Sequence, residues 1–247
     1  MKTLSRNNTP SRQETSRANL RTSAGESTKL AAEGRMIDRT ARATAAYAQA
    51  KDFSDRHFPA EVIWQRTVSM DGVTESAFLR EAAWVILCTG FRERTLRTRF
   101  GYLSLCFCDW ESGAVIAENA EACRATALAA FNHPRKVDAI IQIARRVARE
   151  GFTILKRRIL CQPIEVLKTL PYIGPITAYH LAKNLGLPVA KPDRHLQRLA
   201  AALSYPDAHS LCADISEITG DPPHVVDLIF WRYLAEAQGN TPKRAMV

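Results

Sequence analysis

The sequence predicts an all-α fold, and three observations carry that prediction. Apolar residues recur at three- and four-residue spacing through most of the chain after Met36, the pattern of amphipathic helices. Pro134, Gly151, Pro171, Gly174, Pro175 and Gly186 punctuate those runs, as helix starts and stops do. β-Like sequence is confined to Glu61-Val-Ile-Trp-Gln-Arg-Thr67, followed by an Asp71-Gly72 turn.

In chain order, residues 1–35 are rich in Ser, Thr, Arg and Asn, with seven Lys/Arg against three Glu. They read as a basic, disordered tail that adds nonspecific attraction to a polyanion. Met36 to about Asp52 is an alanine-rich helix. Thr74 caps a helix through Leu87, with Phe78, Leu79, Ala82, Ala83, Val85 and Ile86 as its apolar residues. Cys88-Thr-Gly-Phe91 breaks it. Arg92–Phe107 and Glu118–Phe131 are the next helices. Asn132-His-Pro134 opens another, with Val137, Ile140, Ile141, Ala144 and Val147 on one face and Gly151 as its stop.

Gln162 to Leu170 carries Ile164, Val166, Leu167 and Leu170 at helical spacing. Pro171 and Gly174 form a turn, and Pro175 suits the first turn of the following helix, where its missing N–H costs nothing. That helix ends near Gly186, a plausible C-cap. The free amides near Gly174 and Ile176 make an anion site at a helix N-terminus. Asp193 precedes Arg194-His-Leu-Gln-Arg-Leu-Ala-Ala-Ala-Leu203 and reads as an N-cap. Backbone N–H groups in that position keep a carboxylate ionised and fixed. Val225 to Ala237 is the last helix.

The 247 residues are 46 % hydrophobic, enough for a sizeable core in one or two domains, and the net charge of +9 suits a polyanionic partner. No run of about twenty apolar residues predicts a membrane span, and the N-terminus carries no apolar signal core. A cytoplasmic, nucleoid-associated location is expected, or a nuclear one in a eukaryote. Cys88, Cys106, Cys108, Cys123, Cys161 and Cys212 contain no C-x-x-C pair and read as reduced thiols.

Leu170-Pro-Tyr-Ile-Gly-Pro-Ile-Thr-Ala178 and Pro192-Asp-Arg-His-Leu-Gln-Arg-Leu199 together resemble the helix-hairpin-helix DNA glycosylase superfamily, the endonuclease III, adenine glycosylase and alkyl-base glycosylase group. The strong resemblance covers about residues 162–200, and a weaker one reaches from Phe78 to Asp227. It implies a two-lobed, all-α fold. One helical barrel lobe spans 76–187 and carries the helix-hairpin-helix at 162–186. A second lobe joins 36–75 to 188–247.

The resemblance further implies double-stranded DNA with a damaged or modified base as partner, and a monomer. A base would be flipped from the duplex and released by hydrolysis of its N-glycosidic bond, leaving an abasic site. Asp193 falls on the catalytic aspartate. Tyr172, Gly174, Ile176 and Thr177 fall on the stretch whose amides face a DNA phosphate. The carbonyls of Lys168, Leu170 and Ile173 fall where the family often binds K+ or Na+; no organic cofactor is implied. The loop at Thr89-Gly-Phe-Arg92 aligns with the family's wedge, making Phe91 and Arg92 wedge candidates. Trp64, Trp84, Trp231 and Tyr233 are base-pocket candidates by type, with Gln65 and Asp227 as conceivable edge readers. Arg92, Arg94, Arg97, Arg99 and Lys156-Arg-Arg158 are phosphate candidates.

Three departures matter. Tyr172 replaces the usual first hairpin glycine. Ile176 stands where bifunctional members carry a Schiff-base lysine, which implies a monofunctional enzyme. Only Cys212 follows Asp193, so the four-cysteine iron–sulfur loop is missing. Alternatives are a bifunctional glycosylase/lyase using Lys191, a glycosylase that excises hypermodified phage bases in antiviral defence, and a non-catalytic DNA-binding protein in which Asp193 is only a cap.

Overall fold

A computed structural model of the chain describes residues 12–91 and 93–240, with side chains from 34 to 236. Among the described residues every regular element is helical and no strand occurs. The helices are α1 (Arg12–His57), α2 (Pro59–Thr67), α3 (Glu75–Cys88), α4 (Glu93–Cys106), α5 (Gly113–Glu118), α6 (Ala120–Ala130), α7 (Pro134–Glu150), α8 (Phe152–Cys161), α9 (Pro163–Leu167), α10 (Pro175–Asn184), α11 (Arg194–Ala202), α12 (Ala208–Thr219) and α13 (Pro223–Asn240). None of the described helices is long and apolar enough to cross a membrane.

Local chemistry sets most of the boundaries. Thr74 accepts a hydrogen bond from the Ala77 amide and starts α3. Pro134 opens α7, and Gly151 stops it with φ of 81°. The face of α7 read from the sequence is the buried one: Val137, Ile140, Ile141, Ala144 and Val147 are all in the core. Each large side chain among them contributes roughly 1.5–3 kcal/mol on burial.

Three expectations need correcting. Glu61–Thr67, read as β-like, lies in helix α2. Pro59 presets its first turn, and Val62 and Gln65 turn one face inward at three-residue spacing. Packing of that face overrides the β-preference of Val, Ile, Trp and Thr. The helix expected over 118–131 is α6 and starts two residues later, because Glu118 ends the separate short helix α5 and Asn119 lies between them. The segment 1–35 is not disordered throughout, because α1 already begins at Arg12. Ala, Glu, Lys, Arg and Leu between 20 and 35 favour extending a helix once Met36 onward has nucleated it. Residues 1–11 lie outside the described residues.

Buried apolar side chains form two clusters. One runs from Met70 to Leu187 and is centred on α3 and α7. The other joins Ala43, Tyr47, Ala50 and Val62 to residues between Ala190 and Phe230. Gly186 lies where the chain leaves the first cluster. Its φ is +80°, and a Cβ there would collide with the Val68 carbonyl and the Ser69 backbone. Only glycine meets both demands.

Candidate active site

The hairpin between α9 and α10 is built on two buried anchors, Leu170 and Ile173. Tyr172 takes a left-handed φ of 66°. That conformation costs a side-chain-bearing residue roughly 1–2 kcal/mol and explains why a glycine would be at home there. Gly174 caps α10 in an extended conformation. Its amide donates to Thr177 Oγ1 at 2.6 Å, so Gly174 does not offer the free amide expected of it. A threonine in the third helical position reaches back to the cap, as a capping-box side chain does. Pro175 has no N–H, which leaves the Ile176 and Thr177 amides as the free donors of the first turn. Ile176 is exposed, as is Tyr172. Leu170 O accepts from Ile173 N at 3.1 Å, whereas Lys168 O and Ile173 O take no backbone donor among the described residues.

Asp193 caps α11, as read from the sequence. Its Oδ1 accepts from the His195 and Leu196 amides at 2.9 and 3.1 Å. The other oxygen, Oδ2, lies 3.7 Å from Lys191 Nζ. Lys191 lines a cleft of about 790 Å³, so Asp193 stands one side chain away from that cleft. Burial lowers the pKa of Lys191, and the neighbouring Lys183 ammonium lowers it further against the pull of Asp193 and Asp227.

The cleft draws on both halves of the sequence. Trp64 of α2, Trp84 of α3 and Trp231 of α13 all line it, together with Asp227 and Gln65. Tyr233 is not among its lining residues; its ring packs edge-on against Phe53. Phe100 meets the Trp84 ring edge-on at 5.0 Å. Arg97 and Arg232 lie over Trp84 and Trp231 at 5.5 and 4.7 Å. Both guanidinium groups share Glu61 and Glu93, which ties α2, α4 and α13 into one charged network.

Asp227 is almost wholly buried and fully engaged. Its Oδ1 pairs with Lys183 Nζ at 2.5 Å, and its Oδ2 accepts the Lys191 amide at 2.6 Å. It therefore helps to shape the cleft floor, with one partner on each oxygen. His180, also lining the cleft, is held well below the ordinary imidazole pKa by burial and by Lys191 and Lys183. Burial pushes the Cys88 thiol up to about 12, which makes it a poor nucleophile.

Phe91 sits half-exposed on the turn after α3, 4.9 Å from the Phe131 ring, and contributes to the same cleft. Arg92 lies outside the described residues. Behind the turn is Lys136, 1 % exposed. Its ammonium donates to Leu87 O at 2.8 Å and Thr89 O at 2.5 Å. It also faces the rings of Phe91, Phe131 and Tyr172 at 4.4, 5.7 and 5.9 Å. One lysine thus joins the Phe91 turn to the hairpin.

Several phosphate candidates are committed elsewhere. Lys156 donates to Asp71 O and Val73 O, Arg158 pairs with Glu150, and Arg97 belongs to the cleft network. Arg94, Arg99 and Arg157 are exposed, with no ion-pair partner among the described residues. Sequence reading missed Lys136, Lys183, Glu81, Asn184 and Arg232. A lysine or glutamate inside a basic helix looks like any solvated charge, and only tertiary packing buries these. The chain was compared with protein-family models, curated proteins and solved structures, and none matched.

Proposed function

We propose that the protein is a monofunctional DNA glycosylase, which flips a damaged or modified base out of double-stranded DNA and hydrolyses its N-glycosidic bond. One observation carries the reading. Three tryptophans and Lys191 share a cleft, and the capped Asp193 lies 3.7 Å from that lysine's ammonium. Aromatic walls suit an unstacked base. A carboxylate fixed by two amides suits a sugar that becomes cationic as the bond breaks. Asp193 Oδ2, the oxygen not used in capping, would stabilise that cation and orient the water that attacks C1′.

The Ile176 and Thr177 amides would hold a backbone phosphate beside the target, and Phe91 would fill the space the base leaves. Where a monovalent cation binds, Lys168, Leu170 and Ile173 carbonyls would hold it, and it would add positive charge to the phosphate grip. In this reading the two core clusters are the two lobes of the enzyme, and the cleft between them receives the nucleotide.

Asp193→Asn tests it. Asparagine also caps helices, so melting temperature and DNA affinity should stay near wild type while base release falls on the order of a hundredfold. Undiminished single-turnover release would remove Asp193 from the chemistry.

A second reading rests on Lys191. Burial, opposed by Asp193 and aided by Lys183, lowers its pKa, and its side chain lines the cleft. It would attack C1′ of the opened abasic sugar and expel water to give an iminium. Borohydride would trap that species as a covalent adduct, lost in Lys191→Ala. The hydrolytic reading expects no adduct and strand breaks only after alkali.

A further inference from the structure

The cleft floor holds a largely enclosed carboxyl that the proposed chemistry leaves idle. Glu81 projects from α3 into the cleft. Its Oε2 accepts from Asn184 Nδ2 at 3.0 Å, and Asn184 is itself buried at the end of α10. Its Oε1 has only the long 3.4 Å contact to Arg80, an exposed side chain. Burial raises the pKa of Glu81, and the Asn184 hydrogen bond and Arg80 oppose that only in part. A neutral carboxyl both donates and accepts.

The neighbouring groups are acceptors whose orientation is fixed. Asn184 spends its amide nitrogen on Glu81, which leaves Oδ1 as the free end. Gln65 is fully buried and lines the cleft; its Nε2 donates to Lys183 O at 2.8 Å. That bond identifies the remaining end as Oε1, a buried oxygen with no hydrogen-bond partner. An unmet buried acceptor is destabilising, and a ligand that brings a hydrogen removes the penalty.

We infer that Glu81, with Asn184 and Gln65, is the specificity-determining set of the cleft, and that it selects a base carrying an exocyclic amine. The two amine hydrogens meet two of the fixed acceptors. Burial shifts Glu81 toward its neutral form, whose carboxyl hydrogen would go to the ring nitrogen beside the amine. An imide base such as uracil offers a single hydrogen between two carbonyls and leaves acceptors unmet. The inference rests on the cleft receiving a flipped nucleotide, but not on the cleavage step.

The test uses the full chain and four duplexes that cannot be cleaved. Each carries one 2′-fluoroarabino nucleotide, whose fluorine destabilises the sugar cation, opposite an abasic analogue that removes any pairing partner. Cytosine is compared with uracil and adenine with hypoxanthine, so that each pair differs by amine against carbonyl at one ring carbon. Wild type should bind the amine member at least about tenfold more tightly, because sites built around hydrogen bonds reject analogues that lack them. Glu81→Gln, which keeps one donor and one acceptor, should retain most of the preference. Glu81→Ala should bind both members equally, with circular dichroism and melting confirming that it folds. Equal wild-type affinity within both pairs overturns the inference, as does an amine preference that survives Glu81→Ala. Base release from the ordinary deoxy duplexes is measured alongside. Release without preference sinks the inference and keeps the glycosylase; preference without release does the reverse.

Discussion

Replacing Lys136 by methionine should separate the turn that carries Phe91 from the hairpin while keeping the volume of the side chain. Methionine leaves Leu87 O, buried at the end of α3, without the 2.8 Å donor it has now; an orphaned buried carbonyl costs about 1–3 kcal/mol. Thr89 O is partly exposed, and water replaces the lysine there at little cost. Three ring faces lose a desolvated cation, each contact worth about 0.5–2 kcal/mol. Against these losses, the variant no longer buries an ammonium, a saving of several kcal/mol. The balance is a destabilisation of about 1–3 kcal/mol, or a fall in Tm of roughly 2–12 °C for a domain of this size. Function should suffer through order in the turn. If the protein flips bases as proposed and about 1 kcal/mol of that order is lost, flipping weakens about fivefold, read as 2-aminopurine fluorescence in a duplex at saturating protein. Affinity for undamaged duplex should hold, because the Ile176 and Thr177 amides are untouched. A methionine variant that melts with wild type and flips as well would refute the reasoning, and Lys136 would be only a buried lysine with good neighbours.

Asp227→Asn should be more damaging than any surface charge change. It leaves the Lys183 ammonium buried beside a neutral amide, at a cost of about 3–5 kcal/mol, visible as a lower denaturation midpoint; an unchanged midpoint would show that Lys183 finds water instead. If the hairpin grips a backbone phosphate as proposed, Gly174→Asp should weaken binding to all duplex sequences alike, since phosphate contacts carry no sequence information. Unchanged affinity of the folded variant across a salt series would reduce the hairpin to a helix connection. Burial alone would raise the pKa of Asp221, but the Tyr47 hydroxyl hydrogen bond, Lys51 and Arg66 hold it below its ordinary 3.8. Its stabilisation is therefore present above pH 3.8 and lost as pH falls through the lowered value. Asp221→Asn should melt below wild type at neutral pH and approach it in acid; a gap that does not depend on pH would place the effect elsewhere.

Legibility followed the range of the interactions. Asp193 as a cap, Pro175 at a helix start and the inward face of α7 depend on neighbours within a few residues, and all three were readable. Helix α2 was not, because its composition favours a strand and only the burial of Val62 and Gln65 decides otherwise. The hairpin showed both cases. Tyr172 at a glycine position was visible as a departure, and its left-handed φ is the physical counterpart. The loss of the Gly174 amide to Thr177 required the geometry. Of the cleft, the tryptophans and Asp227 could be nominated by type. Their convergence, and the cluster of Glu81, Asn184 and Lys183 among them, joins residues more than a hundred positions apart. No local pattern encodes that.

The close approach at Gly186 bears on how the protein moves. The chain passes between the two core clusters twice, once between Val62 and Met70 and once between Leu187 and Ala190. Gly186 brings those crossings into backbone contact at Val68 and Ser69, and Gln65 fastens them again at Lys183 O. Two linkers that run side by side act as a door hinge rather than as a ball joint. Rotation about their common line would be the softest relative motion, opposed by the Arg97, Arg232, Glu61 and Glu93 network that also joins the two clusters. A duplex entering the cleft would therefore meet walls that part along one path. Gly186→Ala, although remote from Asp193, would stiffen or misalign that axis and be felt in the rate of opening.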